Sequence, residues 1–126
     1  MFKDYPAQPG VSLDTIPAIC VKTWDNIRVQ RKIVCAANVF RLINDEKIVI
    51  PASRHYSKIM GGLAKMLKEK GIIQTNIVAG DNQGFIDQFD DYHTREDAFI
   101  IAQHSGQPFD AERNGHNREL FSEGLY

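Results

Sequence analysis

Cysteine is scarce in this chain. Cys20 and Cys35 are the only two in 126 residues, and neither belongs to a Cys-x-x-Cys pair or a Cys/His set at zinc spacing. A multi-bridge scaffold and a zinc module are therefore excluded. Both cysteines lie in apolar runs, which suits reduced, buried thiols in a cytosolic protein. Charge of one sign is also missing. Fifteen basic and 16 acidic residues give a net charge of −1, without the basic excess a DNA or RNA partner calls for. No apolar run approaches the ~20 residues of a membrane span, and Met1 to Gly10 has no apolar signal core. Neither a Walker-type phosphate loop nor a dinucleotide-binding glycine fingerprint occurs, and no nucleophile elbow surrounds Ser53 or Ser57. The expectation is a cytoplasmic protein with no membrane and no DNA partner.

What is present suffices for a small core, since 43% of the residues are hydrophobic. The length predicts one domain over 1–126. A domain of this size buries only about two-thirds of its unfolded surface, which favours a homo-oligomer. Met1 to about Leu13 is punctuated by Pro and Gly and reads as loose. Ala18 to Val29 reads as irregular. Lys32 to Ile43 is a β-type run, Asn44-Asp45-Glu46 a turn, and Lys47 to Ile50 a second strand, together a hairpin that Pro51 ends. Ser53 to Lys70 reads as helix, with Ile59, Leu63, Met66 and Leu67 on one face and Gly71 as its left-handed stop. Ile72 to Ala79 reads as a third strand, Gly80-Asp81-Asn82 as a turn and Gln83 to Gln88 as a fourth strand. Thr94 caps a second helix, with Asp97 three residues on. Its inward face is Ala98, Ile101, Ala102 and Ser105, and Gly106 and Pro108 end it. The pattern predicts an α+β fold: a small antiparallel sheet with two main helices.

Several groups carry chemistry. Arg54-His55 lies between a strand end and a helix start, where backbone N–H groups reinforce a cation that grips an anion. The same pair also reads as ordinary surface residues bonded to the turn. Gly84-Phe85 places a glycine and a flat ring in a strand, so Phe85 serves either the core or a stacked base. Arg95 follows the cap Thr94, where a cation opposes the helix dipole and wants an anionic partner, whether an aspartate or a ligand. Arg113, Asn114 and Arg118 lie in a polar loop suited to binding. Asp87, Asp90 and Asp91, with His93 nearby, offer a metal-dependent hydrolase as a rival, although each also reads as a turn or cap residue.

An ordered series of short pieces carries a resemblance. They are Ile33-Val34-Cys35-Ala36-Ala37, Arg54-His55 with Met60, Gln83-Gly84-Phe85, Thr94-Arg95-Glu96-Asp97-Ala98, Ile101-Ala102, Gly106-Gln107, Leu120-Phe121-Ser122-Glu123 and Leu125-Tyr126. In this order the chain from Ile33 to Tyr126 resembles the first type of Thoeris anti-defence proteins, phage "sponges" that hold a cyclic ADP-ribose isomer intact. Gly124 stands where that family usually has an acid, and Met1 to Arg31 has no counterpart. The resemblance implies an α+β fold, pockets at subunit interfaces of a dimer or hexamer, no cofactor and no catalytic group. It also implies the cytoplasm of a bacterial host and, for some members, cyclic oligonucleotides as further ligands. It places Arg54, His55, Phe85, Arg95, Arg113 and Asn114 around the ligand: arginines on phosphate, Phe85 on adenine, His55 and Asn114 as hydrogen-bonding groups. A protein–protein inhibitor or structural phage protein is the remaining alternative.

Overall fold

The computed structural model describes residues 2–78, 82–107 and 119–120. Two sheets and two α-helices give the α+β architecture that the residue pattern predicts. Among the described residues the larger sheet is antiparallel throughout, in the order β5 (Lys47–Ala52), β4 (Ile33–Arg41), β6 (Gln83–Asp87), β7 (Tyr92–Thr94). A smaller sheet, in the order β1 (Lys3–Tyr5), β3 (Ile27–Gln30), β2 (Val21–Trp24), precedes it in the chain.

The N-terminal third is more ordered than its composition suggests. β2 (Val21–Trp24) and β3 (Ile27–Gln30) form a hairpin. Its turn holds Asp25 at φ 50, a left-handed conformation that Asp tolerates better than most residues. β1 (Lys3–Tyr5) adds to β3 in parallel. The expectation of a loose Met1–Leu13 is thus corrected. Arg28 forks onto Asp4 at 2.8 and 2.6 Å and takes Asp14 at 2.7 Å, and Leu13 is buried. Alternation over Ala18 to Val29 was too poor to show the hairpin, because β2 and β3 are short and only partly covered.

β4 (Ile33–Arg41) and β5 (Lys47–Ala52) pair as the predicted hairpin. Pro51 does not end it, since it stands opposite Ala37 within the ladder. β5 is an edge strand, and an edge tolerates the missing N–H.

α1 (Lys58–Glu69) begins later than the composition implies, because Ser57 is its N-cap: the Ser57 hydroxyl accepts from Met60 N at 3.1 Å. Arg54 and His55 therefore precede the helix in a turn closed by Ser57 N donating to Arg54 O. The buried face of α1 is Met60 and Ala64, with Leu63 and Leu67 beside them. Ile59 and Met66, expected inside, are exposed. Gly71 does take the left-handed conformation, at φ 70. The run after it is no strand. Ile73 makes one isolated bridge to Leu42 and buries itself beneath α1, while residues 79–81 lie outside the described set.

β6 (Gln83–Asp87) returns to the other side of β4, and β7 (Tyr92–Thr94) follows. α2 (Arg95–His104) starts as predicted, with Thr94 Oγ1 accepting from Asp97 N at 3.2 Å. Ala98, Ile101, Ala102 and Ser105 are all buried, packed over Ile33, Ala36 and Phe85 of the sheet for the three apolar ones. Gly106, at φ 72, turns the chain so that Gln107 faces β4. The Gln107 amide then copies a neighbouring strand: its Oε1 accepts from Ile33 N and its Nε2 donates to Ile33 O, both at 2.8 Å. Gln107→Ala removes both bonds and leaves part-buried backbone groups unpaired, so it lowers stability by about 1–3 kcal/mol. Urea unfolding followed by circular dichroism measures the loss.

Candidate functional site

The head of β6 gathers most of the predicted groups that lie in the described residues. His55 is buried, and its Nε2 is 2.8 Å from Gly84 O. Arg54, half-buried, is its neighbour in the turn. Arg95 reaches the same strand from the start of α2: its Nη1 donates to Gln83 Oε1 at 3.1 Å, and its Nη2 lies 3.5 Å from Glu119. One arginine and a histidine, Arg95 and His55, are thus tied to two consecutive residues, Gln83 and Gly84, and Arg54 adjoins His55 in the turn.

Asn38 belongs to this group, and the residue pattern had not singled it out. It pairs with Gln83 in register, and its Nδ2 donates to His55 O at 2.9 Å. Asn38 is fully buried, yet its Oδ1 has no partner. A polar residue inside Cys35-Ala36-Ala37-Asn38-Val39-Phe40 was the available signal, because a strand interior rarely holds an amide without use for it.

Gly84 is required by crowding. A β-carbon there would meet His93 O at 2.3 Å and the Tyr92 hydroxyl at 2.4 Å. The Tyr92 side chain lies against bare backbone on the β6/β7 ladder, and its hydroxyl is buried without a partner. The close approach expected at Gly84 is therefore made by the protein's own tyrosine.

Phe85 takes the core position, one of the two readings its place in a strand allowed, and not the open face that the resemblance implies. Its side chain is completely buried among Ala36, Ala98 and Ile101, and the His55 ring meets it edge-on with centroids 5.3 Å apart. It offers no open face to a base. Tyr56 is the exposed aromatic at this junction, 72% accessible, with its hydroxyl donating to Val78 O at 2.7 Å. Arg113 and Asn114 lie outside the described residues, as does Arg118.

A second polar group sits at the far end of β6. Asp87 is fully buried and bound by Arg31, by His93 Nε2 at 2.8 Å, and by the backbone N–H groups of Phe89 and Asp91. Asp91 takes Arg31 at 2.6 Å and Lys22 at 2.7 Å. Burial alone would raise the Asp87 carboxyl, but the bonds from His93, Arg31 and the two amides outweigh it and hold it below its usual range. Lys22 and Arg31 do the same for Asp91. These carboxylates are spoken for by cations, and among the described residues no three His, Cys, Asp or Glu side chains form a metal-holding set. Asp90 is the left-handed residue of the β6–β7 turn, at φ 64. The cysteines are both free thiols, and burial pushes the Cys20 thiol up to about 11, away from nucleophilic use.

What these elements define is a small α+β protein with a cationic junction at the head of one strand and a closed ion-pair network at its foot. Residues 32–126 match the model of the phage T4 y16D protein family, and the chain belongs to that family. It is a phage protein. No curated protein and no solved structure matches it. No described helix is long and apolar enough to cross a membrane.

A folded carboxyl pKa held below the unfolded value stabilises above that value and loses the contribution as pH falls through the folded one. The Asp87 and Asp91 contributions are therefore complete above about pH 5 and are lost on acidification below 3.8, their ordinary value. Asp87→Asn removes the fully buried carboxylate but leaves Arg31 paired with Asp91, so it costs about 1–3 kcal/mol at neutral pH. It also flattens the acid arm of a stability-versus-pH curve measured by denaturant titration.

Proposed function

We propose that this phage protein binds and sequesters a cyclic ADP-ribose-type nucleotide without cleaving it, as an anti-defence protein acting in the cytoplasm of the bacterial host. One observation carries the reading. His55 and Arg95, far apart in the chain, are anchored on Gly84 and Gln83, and Arg54 adjoins His55 in the turn before α1. A doubly phosphorylated ring needs two or three convergent cations and polar edge groups, and arginine serves phosphate through a planar, two-point contact. A cyclic ligand has little freedom to lose, so a few such contacts hold it well.

The ordered residue pieces that resemble the Thoeris anti-defence sponges run through this junction, and the phage family is consistent with that origin. In this reading Arg54 and Arg95 hold phosphates. The contact from Arg95 to Glu119, 3.5 Å, is longer than its 3.1 Å bond to Gln83, and an entering phosphate replaces it. Asn38 and His55 supply hydrogen bonds, and Arg113 and Asn114 complete the set. Tyr56, rather than the enclosed Phe85, provides the flat face for adenine. The engaged state of Asp87 and Asp91 favours holding over hydrolysis, because a base or metal ligand must first be freed of its cations.

The expected result is that stoichiometric protein removes a cyclic ADP-ribose isomer from solution and that denaturation returns it intact on chromatography. Arg54→Ala and Arg95→Ala each cost about 1.5–3 kcal/mol, roughly ten- to a hundredfold in affinity by calorimetry. Ligand consumed during incubation, or no thermal shift with any cyclic nucleotide, sinks the reading.

A further inference from the structure

We infer that the outward face of α1 is a docking surface for α1 of a second copy of this chain, packed antiparallel about a two-fold axis near Gly62 and Leu63. The inference is independent of what the protein binds. Ile59 and Met66 are 79% and 44% exposed on a helix whose other apolar residues are covered. Ile59, Gly62 and Met66 fall at i, i+3 and i+7, a single line along the helix. An exposed apolar stripe of this kind marks an interaction surface more often than a scattered single residue does.

Two features select the occupant. The first is charge. Lys58 and Glu69 stand at opposite ends of α1, both exposed, and neither forms an ion pair among the described residues. With Gly62 and Lys65 they make a second line, at i, i+4, i+7 and i+11, flanking the apolar one. In an antiparallel pair each Lys58 falls near the partner's Glu69, and each Ile59 falls near the partner's Met66. The Lys58–Glu69 and Ile59–Met66 pairings are their own complement under a two-fold axis, as such an interface requires, and they offset the like charge of the exposed Lys65 and Lys68 on the same helix. The second feature is room. A β-carbon at Gly61 or Gly62 would meet no atom within 4 Å, so the helix offers bare backbone at its midpoint where a second helix can come close. A glycine pair that weakens a helix interior has a purpose there.

Sedimentation equilibrium over a concentration series tests this. Wild type self-associates, and Ile59→Glu combined with Met66→Glu raises its dissociation constant at least tenfold, with the circular dichroism spectrum unchanged because both positions are exposed. Lys58→Glu and Glu69→Lys each weaken association, and both together in one chain restore it. Gly62→Cys, made in a Cys35→Ser background because Cys35 is half-buried, cross-links to a covalent dimer under mild oxidation, while the Cys35→Ser parent, with Cys20 buried, does not. This readout keeps the proposal open to failure should the double glutamate variant unfold. A wild type that stays monomeric at all concentrations overturns it. So does a glutamate variant that assembles like wild type, a charge reversal that restores nothing, or an absent cross-link.

Discussion

Asp87 is the point on which the two sheets are hung together. Its carboxylate closes β6, receives the Arg31 side chain from the segment just after β3, and receives His93 from β7. Asp91 extends the same chain of charges to Lys22 on β2. The buried cluster around Cys20 packs the N-terminal segment on α2 and the large sheet as well. A buried charge is costly when unpaired and tolerable when surrounded by fixed donors. Asp87 has four: two side chains and two backbone amides. Gln30 adds a neutral tie, accepting from Ala7 N and donating to His104 O.

That constraint also sets up the other end of β6. With its foot fixed, the strand presents Gln83 and Gly84 at a defined place between the turn after β5 and the start of α2. Phe85, locked in the core between these two ends, is what His55 leans on. The Phe85 ring thus packs edge-on against the histidine with its side chain fully buried. Arg95 stands at the start of α2, and Arg54 in the short turn between β5 and α1.

Legibility varied with how local the cause was. The start of α2, its inward face and its glycine stop were readable, since a cap, a 3.6-residue period and a positive-φ residue are properties of a few neighbouring side chains. The β4–β5 hairpin was readable for the same reason. The face of α1 was misjudged because both stripes are apolar: Ile59 and Met66 satisfy the helical period as well as Met60 and Ala64 do. The period cannot say which stripe the sheet will cover. Arg54, His55 and Arg95 were legible as candidates by residue type and position, but Asn38 was hidden by its apolar neighbours.

The amino-acid sequence by itself determined the α+β class, the two helices, the central hairpin and the absence of a membrane-spanning run, because each follows from short-range pattern and composition. Only the tertiary structure decided that Phe85 belongs to the core, that the acidic group near Asp87 is an ion-pair network, that the first thirty or so residues build a sheet, and that His55 and Arg95 share one strand end. Those outcomes depend on which distant residues arrive as neighbours, and the free energy of a buried charge or ring is set by its neighbours rather than by its own identity.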